Sequence, residues 1–145
     1  MTPEGNTNDI DQLNSLLRGE LSAVETYEQC IEKMDDDLMK RQLTSLQASH
    51  VTRATKLKSR IRAMGGEPDS DSGAWGAFAK LVEGGAKIFG KKAALSALEE
   101  GEDHGKKDYA DVEDLTPEVR HFVQTVLVPE QQRTHDSLKT LKEQV

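Results

Sequence analysis

Four residues of metal-ligating type fall on helical stripes that are otherwise apolar: Glu20, His50, Glu102 and His135. Glutamate oxygen and histidine nitrogen suit iron, manganese or zinc. A lone carboxylate inside a helical core costs several kcal/mol and persists only when paired or bound to a cation. Glu20, His50 and Glu102 are expected near the middle of their helices. His135 lies slightly past the middle of its own, so antiparallel packing would bring the four into one central layer.

The two halves of the chain echo each other. Gly19-Glu20 is followed by Tyr27, and Gly101-Glu102 by Tyr109, at the same offset. Gln47 precedes His50 by three residues, and Gln132 precedes His135 by three. On a helix, residues three apart share a face. Each half therefore offers a glutamate, a tyrosine and a glutamine-histidine pair, as an internal helix-hairpin repeat would. Gln47, Gln132, Tyr27 and Tyr109 are expected around the layer as weak ligands or hydrogen-bond partners. His104 and His121 fall off the stripes and are expected at the surface, and Cys30 reads as a core or boundary residue.

The elements that position these residues are all helical. A first helix is predicted from Asp9 to Met34, on a stripe through Ile10, Leu13, Leu17, Val24, Tyr27 and Ile31. Residues 1–8 read as a loose tail, with Asn8 or Asp9 as the cap. Asp35-Asp36-Asp37 breaks the pattern, and a second helix runs to Met64, where Gly65-Gly66 stops it. Residues 67–90 read as a crossover that contains a short amphipathic segment, Trp75 to Phe89. A third helix is predicted from Lys91 to Val112. A fourth starts at Thr116-Pro117 and reaches Lys142, with a kink expected at the interior Pro129. Two tight turns and one long connection imply a single domain over residues 1–145, an all-α antiparallel four-helix bundle with a crossover.

With this layer and these helices, the chain resembles the ferritin-like superfamily. Its carboxylate-bridged di-iron bundles place a glutamate on one helix of each pair and Glu-x-x-His on the other. More closely, it is similar to a family of uncharacterised bacterial ferritin-like proteins with Gly-Glu in helices one and three. That family also carries Gly-Gly-Glu-Pro after helix two, here Gly65 to Pro68. The resemblance covers residues 9–142 and implies that Glu20, His50, Glu102 and His135 occupy ligand positions. Gln47 and Gln132 stand where a di-iron enzyme has its bridging glutamates. Two glutamates balance only two of the positive charges of a di-iron centre. The layer can therefore be a single metal site, a di-metal site, or a metal-free polar layer that fixes helix register in a structural or interaction protein.

Composition bounds the rest. The chain has 145 residues, a net charge of -7 and 31% charged residues. The acidic balance disfavours nucleic acid and anionic lipid as partners. The densest basic group, Arg53, Lys56, Lys58, Arg60 and Arg62, spreads around a helix and reads as a solvated face. One cysteine excludes an intrachain disulfide and fits a reducing cytoplasm. No apolar run approaches the roughly 20 residues that span a bilayer. A homodimer fits the reading. There is no phosphate loop, nucleotide fingerprint or Ser/His/Asp set, so the sequence leans away from an enzyme.

Overall fold

The computed structural model describes residues 3–71 and 91–145, and all its regular structure is helical, with no strand among the described residues. The helices are α1 (Pro3–Lys33), α2 (Asp37–Ala63), α3 (Lys91–Ala110), α4 (Pro117–Phe122) and α5 (Val128–Glu143); α4 runs into α5 through a π-helical turn, Val123–Leu127. The amphipathic segment expected over Trp75–Phe89 and most of the crossover lie outside the described residues.

Residues 1–8 were expected as a loose tail, but α1 begins at Pro3. Proline suits a first helical turn, where its missing N–H is not needed and its φ is already helical. Two contacts tie this turn down: Asn6 donates to the Met64 carbonyl at 3.3 Å, and Asn8 to that of Asp114 at 3.1 Å. Asp9 does not cap α1. It is fully buried and accepts from the Thr116 backbone N–H and hydroxyl at 3.0 and 2.6 Å, which anchors the start of α4.

Asp36 caps α2, accepting from the N–H groups of Leu38 and Met39 at 2.9 and 3.2 Å. Those bonds to the helix start hold its carboxyl below the usual range. The far end closes on the two glycines. Gly65 takes a φ of 83° and donates to Arg62, while Gly66 donates to Ile61 at 2.9 Å. This pair of bonds satisfies the last carbonyls of the helix. Gly66 is needed for a second reason: a Cβ there would lie 2.8 Å from Ile10 of α1.

α1 packs along α2 and α3 along α5, with α1 against α3 as well. Two apolar clusters form the core. One contains Leu13, Leu17, Leu57, Ile61 and Leu127, the other Tyr27, Leu43, Leu95, Leu98 and Leu138. The polar residues described next bridge the same helices.

Just before Pro129, where a kink is expected, the helix takes a π turn. The N–H of Val128 bonds to the carbonyl of Val123, five residues back. Proline 129 can donate to no carbonyl, so the ladder widens immediately upstream. The turn also corrects phase. Val119 and Leu138 are both buried yet nineteen residues apart, which on a straight α-helix puts them about 100° out of line. One extra residue in a wide turn removes about that angle, so α4 and α5 present one continuous inner face.

Candidate functional site

Glu20 (α1), His50 and Arg53 (α2), Glu102 (α3), and Gln131 and Thr134 (α5) are all buried and joined by polar contacts. His50 is the hub. Its Nδ1 lies 3.3 Å from Glu20 Oε1, and its Nε2 lies 2.8 Å from Glu102 Oε2. Burial opposes charge on the ring. The charge of Glu20 and the bonds to both carboxylates outweigh it, so the His50 pKa is raised. Glu102 shows the mirror balance: burial pushes its pKa up, but the bond and charge of His50 and the Tyr27 hydroxyl bring the net value down. Tyr27 donates to Glu102 Oε2 at 2.6 Å, and its ring lies 5.1 Å from the imidazole. Burial and the neighbouring Glu102 hold the phenol well above its usual range.

The second cation of the layer is Arg53, 1% exposed. Its Nε lies 2.9 Å from Glu20 Oε2, although the N–H is not directed at the oxygen. Nη2 donates to the Thr134 hydroxyl at 3.1 Å, and that hydroxyl lies 3.0 Å from Glu102 Oε1. Nη2 also lies 2.8 and 3.0 Å from the two nitrogens of His50. An Arg53 N–H can donate only to a His50 nitrogen that carries no proton, so this contact and the two carboxylate bonds of His50 compete for the same ring nitrogens.

The fourth helix meets the layer in a different register from the one expected. Gln131 is buried and donates to the Glu102 carbonyl at 3.1 Å. Gln132, expected inside, is exposed and bonds to Asp136 at 3.0 Å. His135, expected in the layer, is half-buried at the flank, with Nε2 2.6 Å from the exposed Asp103. The inner line of α5 runs through Gln131, Thr134, Leu138 and Leu141. Leu138 is therefore matched by the residue four back rather than three back, and Gln132 points about 120° away from it. Gln47 is half-buried beside the layer and donates to the Val24 carbonyl at 3.1 Å and to Glu28 at 2.9 Å. Tyr109 is buried with no hydrogen-bond partner for its hydroxyl. His104 and His121 are exposed, and Cys30 is buried.

Sequence reasoning missed Arg53, Gln131 and Thr134. Arg53 had a signal, since it lies three residues after His50 and four before Leu57 and so shares their face. The run of basic residues that follows it masks that signal.

Glu20, His50 and Glu102 are engaged with one another and with Arg53 and do not turn toward one point. A transition ion needs its nitrogen and oxygen ligands about 2 Å from one common point. Glu20 and Glu102 instead face opposite nitrogens of one imidazole, and a guanidinium already sits beside Glu20. Among the described residues, no three His, Cys, Asp or Glu side chains converge on such a point. Nor is any helix among them long and apolar enough to cross a membrane. No curated protein and no solved structure matches the chain. Its family is nevertheless shown: residues 8–114 match the model described as Domain of unknown function (DUF2383), and the chain belongs to that family.

Proposed function

We propose that the chain is a ferritin-like antiparallel four-helix bundle acting as a structural or interaction scaffold, and that its charged layer fixes helix register without a metal. The pairing of contacts supports the antiparallel arrangement. Numbers that rise along α1 fall along α2, from Asn6 with Met64 to Glu20 with His50 and Val24 with Gln47. The same holds between α1 and α3, in Tyr27 with Glu102 and Cys30 with Ala94, and in Asn8 with Asp114 of the turn that follows α3. It holds again between α3 and α5, in Glu99 with Lys142 and Glu102 with Thr134. This order needs a crossover between the two hairpins, as in ferritin-like bundles. The single cysteine, buried and unpaired, fits a cytoplasmic setting.

One observation carries the metal-free reading: the Arg53 guanidinium occupies the layer as its fixed cation. A buried pair of carboxylates then has two protein cations, Arg53 and His50, and a metal would have to displace one of them. Such a layer constrains how the helices can slide, because a shift of one residue strands a buried charge. The test is metal analysis of protein purified without a nickel column, followed by melts with iron(II), manganese(II) or zinc(II). No stoichiometric metal and an unchanged Tm are expected. Bound metal at one per chain, or stabilisation of about 2.7 kcal/mol at a hundredfold excess over Kd, overturns the reading.

A further inference from the structure

The two halves of the layer are unequally satisfied. Tyr27, seven residues after Glu20, donates to Glu102 at 2.6 Å. Its counterpart Tyr109, seven residues after Glu102, is 3% exposed, and its hydroxyl finds no partner. The carboxylate that Tyr109 would match by this symmetry is Glu20, whose Oε2 accepts no hydrogen bond. Arg53 Nη1 is likewise buried and unpartnered. Glu20 Oε2 has only the charge contact of Arg53 Nε at 2.9 Å, and buried polar atoms without a hydrogen bond are rare.

Glu20, Arg53 and Tyr109 all line one cavity of about 40 Å³, together with Gly101, Gly105 and Gln131. A water needs about 10–15 Å³ on this measure, so the space suits a guest of about three non-hydrogen atoms. Gly105 helps keep it open. The residue sits inside α3, and a Cβ there would find nothing closer than Gln131 Nε2, at 4.0 Å. Packing does not demand a glycine, and a larger side chain would fill the space.

The lining sets the guest's chemistry. Arg53 offers an N–H, Tyr109 an O–H and Glu20 a carboxylate oxygen. Glu102 and Asp108 line the cavity with Glu20, so three carboxylates disfavour an anion, and the Arg53 guanidinium, which needs an acceptor, disfavours a cation. We propose that this cavity binds a small neutral amide-like molecule of about three non-hydrogen atoms, its oxygen accepting from Arg53 and Tyr109 and its N–H donating to Glu20. The proposal rests on the reading of Arg53 as the layer's fixed cation.

Formamide is the probe, titrated into the full chain in EDTA and followed by proton–nitrogen NMR. A guest this small reaches a millimolar Kd at best, so the titration runs to about 200 mM. Saturating shifts are expected at Gly105, Tyr109 and the Arg53 side-chain N–H. Gly105→Leu should abolish them, and Tyr109→Phe should weaken binding about fivefold or more, the worth of one hydrogen bond. Acetonitrile, which lacks a donor, and formate, which is an anion, should give no saturating shift at these positions. Uniform or non-saturating shifts overturn the proposal and leave the cavity to water. So do shifts that survive Gly105→Leu, or shifts that acetonitrile matches. If Gly105→Leu does not fold, Tyr109→Phe decides alone. The metal melts fail separately: a chain that takes zinc but still saturates with formamide in EDTA loses the metal-free reading and keeps the cavity.

Discussion

Replacing Arg53 with methionine removes the guanidinium while keeping an unbranched side chain of similar length. Glu20 then loses the cation 2.9 Å from its Oε2 and keeps only His50, 3.3 Å from its Oε1, and Thr134 loses its donor at 3.1 Å. Both positions are buried from bulk solvent, and only the small cavity beside them could admit a replacement partner. Breaking a buried pair from one side costs about 3–5 kcal/mol, a large part of the roughly 5–15 kcal/mol that holds a domain together. At about 4 °C per kcal/mol for a chain of this size, Tm should fall by about 12–20 °C. The companion variant is Glu20→Gln, which leaves Arg53 the uncompensated charge. The double variant Arg53→Met/Glu20→Gln removes both charges and should be more stable than the two single costs predict, by about 2 kcal/mol or more. Urea and thermal melts of the four proteins at pH 7 with EDTA give this cycle. An Arg53→Met cost below about 1 kcal/mol would show that the charge is not held as described. Single costs that add to within about 0.5 kcal/mol would refute the coupling to Glu20.

Three further outcomes follow from the same geometry. Tyr27→Phe should cost about 1.5–3 kcal/mol, because a buried bond to a charged group is lost; Tyr109→Phe should stay within about 0.5 kcal/mol in denaturant melts, since its hydroxyl has no partner to lose, and equal costs would contradict this asymmetry. The raised His50 pKa contributes stability that is full below its ordinary value of 6.5 and lost as pH rises through the folded value. The lowered Glu102 pKa contributes above 4.5 and is lost as pH falls through its folded value. Stability should therefore be greatest between these ordinary values, and an NMR titration that places His50 below 6.5 would contradict the pairing. Cys30, its thiol pushed up to about 12 by burial, should resist a thiol reagent at pH 8 in the folded protein and react on unfolding; rapid labelling of the native chain would place it elsewhere.

Much of the architecture follows from local rules that act on the sequence alone. Asp36 caps a helix wherever it precedes one, and Gly65 takes the left-handed conformation more cheaply than other residues. Thr116-Pro117 restarts a helix for reasons equally local, even though the Thr116 hydroxyl turns to Asp9. Glu20, His50 and Glu102 were legible because apolar neighbours on both sides fixed the phase of their helices. The fourth helix offered no such guide. Between Val128 and Leu138 the residues are Pro, Glu, Gln, Gln, Arg, Thr, His, Asp and Ser, with no aliphatic or aromatic side chain to mark the inner face. Its phase was left to packing, which turned Gln131 and Thr134 inward and left His135 at the flank. The choice of the second cation was also tertiary. Arg53 is one of five closely spaced basic residues, and what separates it from the others is the Glu20 carboxylate delivered by another helix. A charge is buried only where the fold brings its counter-charge, and no periodicity within one helix records that meeting.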